Sequence, residues 1–273
     1  MKKGNKNNKP KIGTGLEHSS KGIYTFLIVV VVAATFISYF PALKNEFTNW
    51  DDDLYVTANP YIQKLSWESI SGFFSRFQNA NYHPLTFVSL AIDYHFAELK
   101  PGLYHFTNIL FHIFNTLLVF VFVKLLFKKQ SIAFVAALLF GVHTLHVESV
   151  AWVAERKDVL YMFFFMLSLC AYVMYVQKGK LKFLLYSILC FVLSCFSKGQ
   201  AVSLAATVIF IDIFLQRKFD LKVILEKVIF VTIALVFGFI AIKAQNSADA
   251  IFNNASNSFF DRMLFAAYGF VNY

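Results

Sequence analysis

The sequence predicts an all-α, polytopic transmembrane helical bundle, and three observations carry that prediction. Of 273 residues, 58% are hydrophobic and only 15% charged, whereas a soluble domain carries about 25% charged residues. The apolar residues gather into runs near the ~20 residues that a helix needs to cross a bilayer. Lys and Arg alternate between dense and sparse in successive loops, the pattern that fixes membrane orientation. These features exclude a soluble enzyme, a disordered chain and a nucleic-acid binder, because the net charge of +9 is divided among loops instead of forming one basic surface.

Residues 1–21 form a basic tail with Lys2, Lys3, Lys6, Lys9, Lys11 and Lys21. Spans are predicted at 23–40, 103–123, 131–147, 159–176, 181–197, 200–215 and 228–244. An eighth apolar run starts near Met263 and reaches Tyr273, too short to cross. Residues 22–273 therefore read as a membrane domain of about seven complete spans with an eighth cut short. The first span is read as a retained anchor, since Tyr39-Phe40-Pro41 follows it where a cleavable signal needs small residues. Sixteen of the 25 Lys and Arg lie on the side of the N-terminal tail. That bias predicts a cytoplasmic N-terminus and places loop 41–102 on the non-cytoplasmic side. Cys170, Cys190 and Cys195 lie in apolar runs, as small fillers and not as a disulfide framework.

The external loop 41–102 carries its own elements. Ser66 can cap a helix with Glu68 in its first turn, followed by an apolar stripe of Ile70, Phe73, Phe74 and Phe77. A helix this short lies in the membrane interface, and a second is predicted over Leu85 to Phe96. Both would fold back over the membrane.

Polar residues inside spans are costly and mark packing or function. His105, Asn108, His112 and Asn115 share one helix face, as interhelical hydrogen-bond donors or as a substrate-lining stripe. His143 and His146 with Glu148 have imidazole spacing that suits zinc, but the order is not His-Glu-x-x-His and no firm third ligand adjoins, so no metal is assigned. The turn Trp152 to Asp158 is either a solvated loop or a phosphate site built on Arg156 and Lys157. Asp51, Asp52 and Asp53 are either a polar turn or mutually repelling acids whose raised proton affinity suits a general base.

The set Asn49-Trp50-Asp51-Asp52, Tyr55-Val56, Asn59-Pro60, Tyr82-His83-Pro84-Leu85 and Tyr104-His105-x-x-Asn108-x-x-x-His112 resembles one family. So do His146-Val147-Glu148-Ser149-Val150-Ala151-Trp152, Arg156-Lys157-Asp158-Val159-Leu160 and Ser197-Lys198. It is similar to the N-terminal membrane region of the transmembrane and tetratricopeptide-repeat (TMTC-like) proteins. These in turn resemble protein O-mannosyltransferases of the GT-C glycosyltransferase architecture. The resemblance covers about residues 22–273, with 146–160 its most specific run. The chain departs from it at Thr144 and Gly199, where the family usually has proline, and it lacks the C-terminal repeat domain. Without that proline, nothing in the sequence bends the span 131–147.

The resemblance implies a membrane glycosyltransferase. It would move mannose or another hexose from a polyprenyl- or dolichyl-phosphate donor to a hydroxyl of an acceptor protein, with inversion. The reaction would take place on the periplasmic or ER-luminal face. It implies Asp51 or Asp52 as base, with Asp52 slightly preferred, and Arg156, Lys157 and Lys198 as the cations for the leaving phosphate. His83, His146, Glu148, Asp158 and His105 would orient the acceptor or support the base. No cofactor is required, and a divalent metal is optional for a monophosphate donor. A solute transporter or channel, and a non-catalytic membrane scaffold, are the alternatives.

Overall fold

The structure, a computed structural model, describes residues 14–247 and 258–272, and among these the chain forms eleven α-helices. They are α1 (Thr14–Tyr39), α2 (Trp67–Ser75), α3 (Pro84–Ala97), α4 (Pro101–Phe127), α5 (Gln130–Val142) and α6 (Val147–Ala151). There follow α7 (Arg156–Lys178), α8 (Leu181–Ser197), α9 (Leu204–Phe214), α10 (Leu221–Asn246) and α11 (Phe259–Asn272). The basic tail 1–13 and Tyr273 lie outside the described residues.

All seven predicted spans are helical, but they differ in reach. Among the described residues four helices are long and apolar enough to cross a bilayer: Gly22–Lys44, Pro101–Phe127, Val153–Lys178 and Leu221–Asn246. A fifth candidate joins α5 to Thr144–Ala151 across a 50° bend. Helix α8 and the segment Gly199–Phe214 are apolar but shorter. They stop early because Lys198 adopts an extended backbone and a tight turn at Gly199–Ser203 sends the chain back.

The bend divides the predicted span 131–147 into α5 and a short continuation. The α-helix ends at Val142, and His143 turns extended (φ −69°, ψ 131°) while its Nδ1 accepts the Leu145 N–H at 3.2 Å. A side chain that satisfies the freed backbone donor replaces the absent proline. Close packing just before the bend depends on Gly141, where an added Cβ would lie 2.3 Å from Thr35 Oγ1 and 3.0 Å from Thr116 Cγ2. Helices α1, α4 and α5 therefore meet at a residue without a side chain.

Helix α7 is central, packed on α4 and α8, while α5 lies on α4 and α1. Tyr172, Phe191, Leu204, Val208 and Phe230 join α7 to α10 in one core cluster. The α4–α5, α7–α8 and α9–α10 connections gather at one end of the bundle. There a buried polar knot ties α7, α9 and α10. Tyr172 donates to Asp212 at 2.8 Å, Lys227 pairs with Asp212 at 2.7 Å, and Arg217 forks onto Glu226 at 2.6 and 3.0 Å. Read from sequence as cations that set topology, Arg217 and Lys227 also hold this knot.

Loop 41–102 folds at the opposite end. Ser66 caps α2 by accepting the Ser69 N–H at 3.1 Å, as predicted. Of the predicted stripe, Phe73 is buried, while Phe74 packs edge-on against Phe196 of α8 at 5.3 Å. Tyr55 stacks on Phe87 of α3 at 5.1 Å, and Thr86 donates to the Ser197 carbonyl at 2.9 Å. The loop thus sits on the ends of α7 and α8.

Candidate active site

The segments 41–58 and 80–83, the 152–158 turn and the Lys198–Gln200 turn converge at this end. Asp51 and Asp52 diverge there. Asp52 is 1% exposed; its Oδ1 accepts the Ala154 N–H at 2.8 Å, and its Oδ2 accepts the Thr48 N–H at 2.9 Å and hydroxyl at 3.1 Å. Both oxygens are occupied in holding the loop to the turn. Of the two candidate bases, Asp52 is therefore the one held in the structure, and Asp51 the more accessible. Asp51 leaves 35% of its side chain exposed and reaches Lys157 at 3.8 Å.

From Asp51 a row of alternating charge runs across the site. Lys157 pairs with Glu155 at 2.7 Å, Glu155 with Lys198 at 3.5 Å, and Lys198 with Asp158. The Lys157 ammonium also lies 4.8 Å from the centre of the Tyr55 ring, a cation–π contact. Three acids and two bases in one row hold the ammonium groups in place before any ligand arrives. Sequence reading missed Glu155, whose signal was its place just before Arg156 and Lys157 in the densest charged turn of the chain.

Beside the row lies a cavity of about 360 Å³, lined by Asn81, His83, Lys157, Lys198 and Gln200, with Phe237 and Ile240 of α10 as its apolar wall. His83 precedes Pro84, so its backbone starts α3 while its ring makes no cap hydrogen bond. The ring is buried and its Nδ1 has no partner. Burial, with the charges of Lys157 and Lys198 against the weaker pull of Asp158, pushes the imidazole down to about 3. His83 is therefore neutral among these groups.

Arg156, expected beside Lys157 at the phosphate, is elsewhere. It is fully buried, and its guanidinium donates to Asp93 at 2.6 Å, the Tyr104 carbonyl at 2.9 Å, Ser89 at 2.7 Å and Asn108 Oδ1. Successive residues at a helix start point about 100° apart, so Lys157 faces the cavity while Arg156 faces α3 and α4. A buried charge is tolerable only when paired and hydrogen-bonded, and Asp93 supplies the pair. Sequence reading did not single out Asp93; its signal was its place in the buried part of α3, with Leu90 and Ala91.

The other predicted supports do not line this cavity. His146, with His112, Ser149 and Asp158, lines a second recess of about 200 Å³. Asp158 links it to the row, since its Oδ2 accepts the Ser149 hydroxyl at 2.9 Å. His105 and Glu148 line a third recess of about 380 Å³ with Asp52 and Trp152. The His105 nitrogens lie near the Asn45 and Ala151 carbonyls without hydrogen-bond geometry. Asn108 and Asn115 donate to the Trp152 and Val159 carbonyls at 2.9 Å each, and His112 Nε2 lies 3.1 Å from the Gly141 carbonyl. These three act between helices. Among the described residues no group of three or more His, Cys, Asp or Glu converges as metal ligands.

No protein-family model matches the chain. Protein O-mannosyl-transferase TMTC1 of Mus musculus is 29% identical over 160 residues, covering 55% of this chain and 17% of that relative. Human TMTC2 is 28% identical over 204 residues, or 70% of this chain and 24% of the relative. A protein O-mannosyl-transferase of Caenorhabditis elegans is 30% identical over 216 residues, or 72% of this chain and 29% of the relative. The chain spans less than a third of the length of each. Across that shared membrane portion, this chain is homologous to the TMTC protein O-mannosyl-transferases.

Proposed function

We propose that this chain carries the reaction centre of a membrane glycosyltransferase. It transfers mannose or another hexose from a polyprenyl- or dolichyl-phosphate donor to a hydroxyl of an acceptor protein on the non-cytoplasmic face. The observation that carries the proposal is the charged row from Asp51 to Asp158 beside the Lys157–Lys198 cavity. The donor phosphodiester, with one negative charge, rests against the two ammonium groups, and its prenyl tail follows Phe237 and Ile240. The acceptor oxygen attacks the anomeric carbon as the bond from that carbon to the phosphate oxygen breaks. The electron pair leaves with the phosphate, which becomes a dianion, and the hydroxyl proton passes to Asp51. Ammonium groups already fixed where charge develops lower the barrier without reorganising. One displacement inverts the anomeric centre. Arg156 acts at a distance, by holding the start of α7.

The alternation of cations along the chain supports a cytoplasmic N-terminus, and the site then faces outward. The test is transfer of mannose from polyprenyl-phosphate mannose to a Ser/Thr peptide in proteoliposomes. Asp51→Asn is expected to lower kcat by about a hundredfold or more, the usual range for losing a general base, while donor binding persists. Unchanged turnover overturns Asp51 as base. Absence of transfer by the unaltered protein with every hexose donor overturns the enzyme reading in favour of a scaffold.

A further inference from the structure

The cavity contains an imidazole that the transfer step leaves unused. His83 is buried among Lys157, Lys198 and Gln200, its ring free of the cap hydrogen bond that its position before α3 would permit. Its Nδ1 is enclosed without a partner, which leaves Nε2 as the ring atom able to meet a ligand. The titratable and charged groups around it are Lys157 and Asp158 of α7, Cys195 of α8, Lys198 beyond α8 and its neighbour Tyr82, with Glu155 paired to both lysines; the polar residue that α10 contributes is the neutral Gln245. With two ammonium groups close by, a third positive charge is disfavoured unless an anion accompanies it.

Transfer changes that balance, on the reading of the site given above. The donor is a phosphodiester with one negative charge, whereas the product is a phosphate monoester whose second proton leaves near pH ~6. The reaction thus releases one proton and leaves one additional negative charge between Lys157 and Lys198. We propose that His83 takes up a proton when the prenyl monophosphate dianion occupies this cavity, so that the site holds product as a dianion–imidazolium pair. The proton given up by the acceptor hydroxyl, taken first by Asp51, then passes through water and balances the one His83 gains, which returns Asp51 to its carboxylate form. Product release then needs that proton to leave, which makes release faster as pH rises. The sign follows from linkage: a ligand that raises the proton affinity of a group binds more tightly at lower pH.

The experiment is equilibrium binding to the intact chain in nanodiscs from pH 6.5 to 8.5, with farnesyl monophosphate and methyl farnesyl phosphodiester as probes. Monoester affinity is expected to rise as pH falls, approaching tenfold per pH unit for one proton taken up, while diester affinity stays flat. His83→Gln is expected to flatten the monoester profile, and diester binding that persists in it, at whatever affinity, shows that the variant is folded. A flat monoester profile in the unaltered protein, or a slope that persists in His83→Gln, overturns the proposal. If both probes bind and Lys198→Ala weakens both while the slope is absent, only the His83 role fails. If neither probe binds, the phosphate reading of the cavity fails with it.

Discussion

Oδ1 of Asp52 accepts the backbone N–H of Ala154 at 2.8 Å, joining residues 102 positions apart. That bond makes two adjacent aspartates unequal. Asp52 is fixed to the turn before α7, and Asp51 is left to face Lys157. Asp52→Ala strands two backbone donors, each costing about 1–3 kcal/mol when buried without a partner. Its thermal midpoint in detergent should fall clearly, whereas Asp51→Asn should leave the midpoint nearly unchanged and remove transfer. Equal stability losses in the two variants would show that the pair is not divided in this way.

Lys157 and Lys198 should each matter to the donor more than to the acceptor. A hydrogen bond to a charged group contributes about 1.5–3 kcal/mol, so Lys198→Ala is expected to weaken donor binding by about ten- to a hundredfold. The acceptor KM should move little. Donor titrations and acceptor saturation curves on the same preparation separate the two effects.

Arg156 should behave as a structural residue. Removing one partner of a buried ion pair costs about 3–5 kcal/mol, because the other charge is left unpaired. Arg156→Met is therefore expected to destabilise the chain strongly, and adding Asp93→Asn should recover much of the loss. Denaturation of the single and double variants measures the coupling. Independent, additive losses would argue that Arg156 serves a ligand instead of Asp93.

His83 also links stability to pH. Its native proton affinity, at about 3, lies below the ordinary value of 6.5, so the unfolded chain binds more protons. Stability is then complete above about pH 6.5 and falls as pH drops below it, by at most about 1.4 kcal/mol per pH unit. His83→Gln should remove that share of the acid sensitivity, which stability curves between pH 7 and 5 would show. An unchanged acid profile would mean that the ring is not buried in its neutral form.

At the far end of the bundle, Lys227→Met leaves Asp212 buried without its ammonium partner, 2.7 Å away in the native chain. A loss on the order of 3 kcal/mol is expected, with transfer per folded molecule unchanged. Selective loss of turnover at full stability would tie this knot to the reaction.

The sequence by itself determined the helical class, the positions of the apolar runs, the Ser66 cap and the two short helices of the external loop. Each depends on spacing or composition within a few neighbouring residues, and such signals persist in the linear chain. It also marked the segments that carry the charged row, because acids and bases are conspicuous in an apolar sequence. Tertiary structure alone decided what each charge does. Asp51 differs from Asp52, and Arg156 from Lys157, through contacts with Ala154, Asp93 and Glu155 that lie elsewhere in the chain or on another face of the turn. The 50° bend after Val142 likewise came from a histidine ring accepting a backbone N–H, a local bond that residue type alone does not announce. Burial and partner geometry set the energy of a charge, and neither is written in its immediate neighbours.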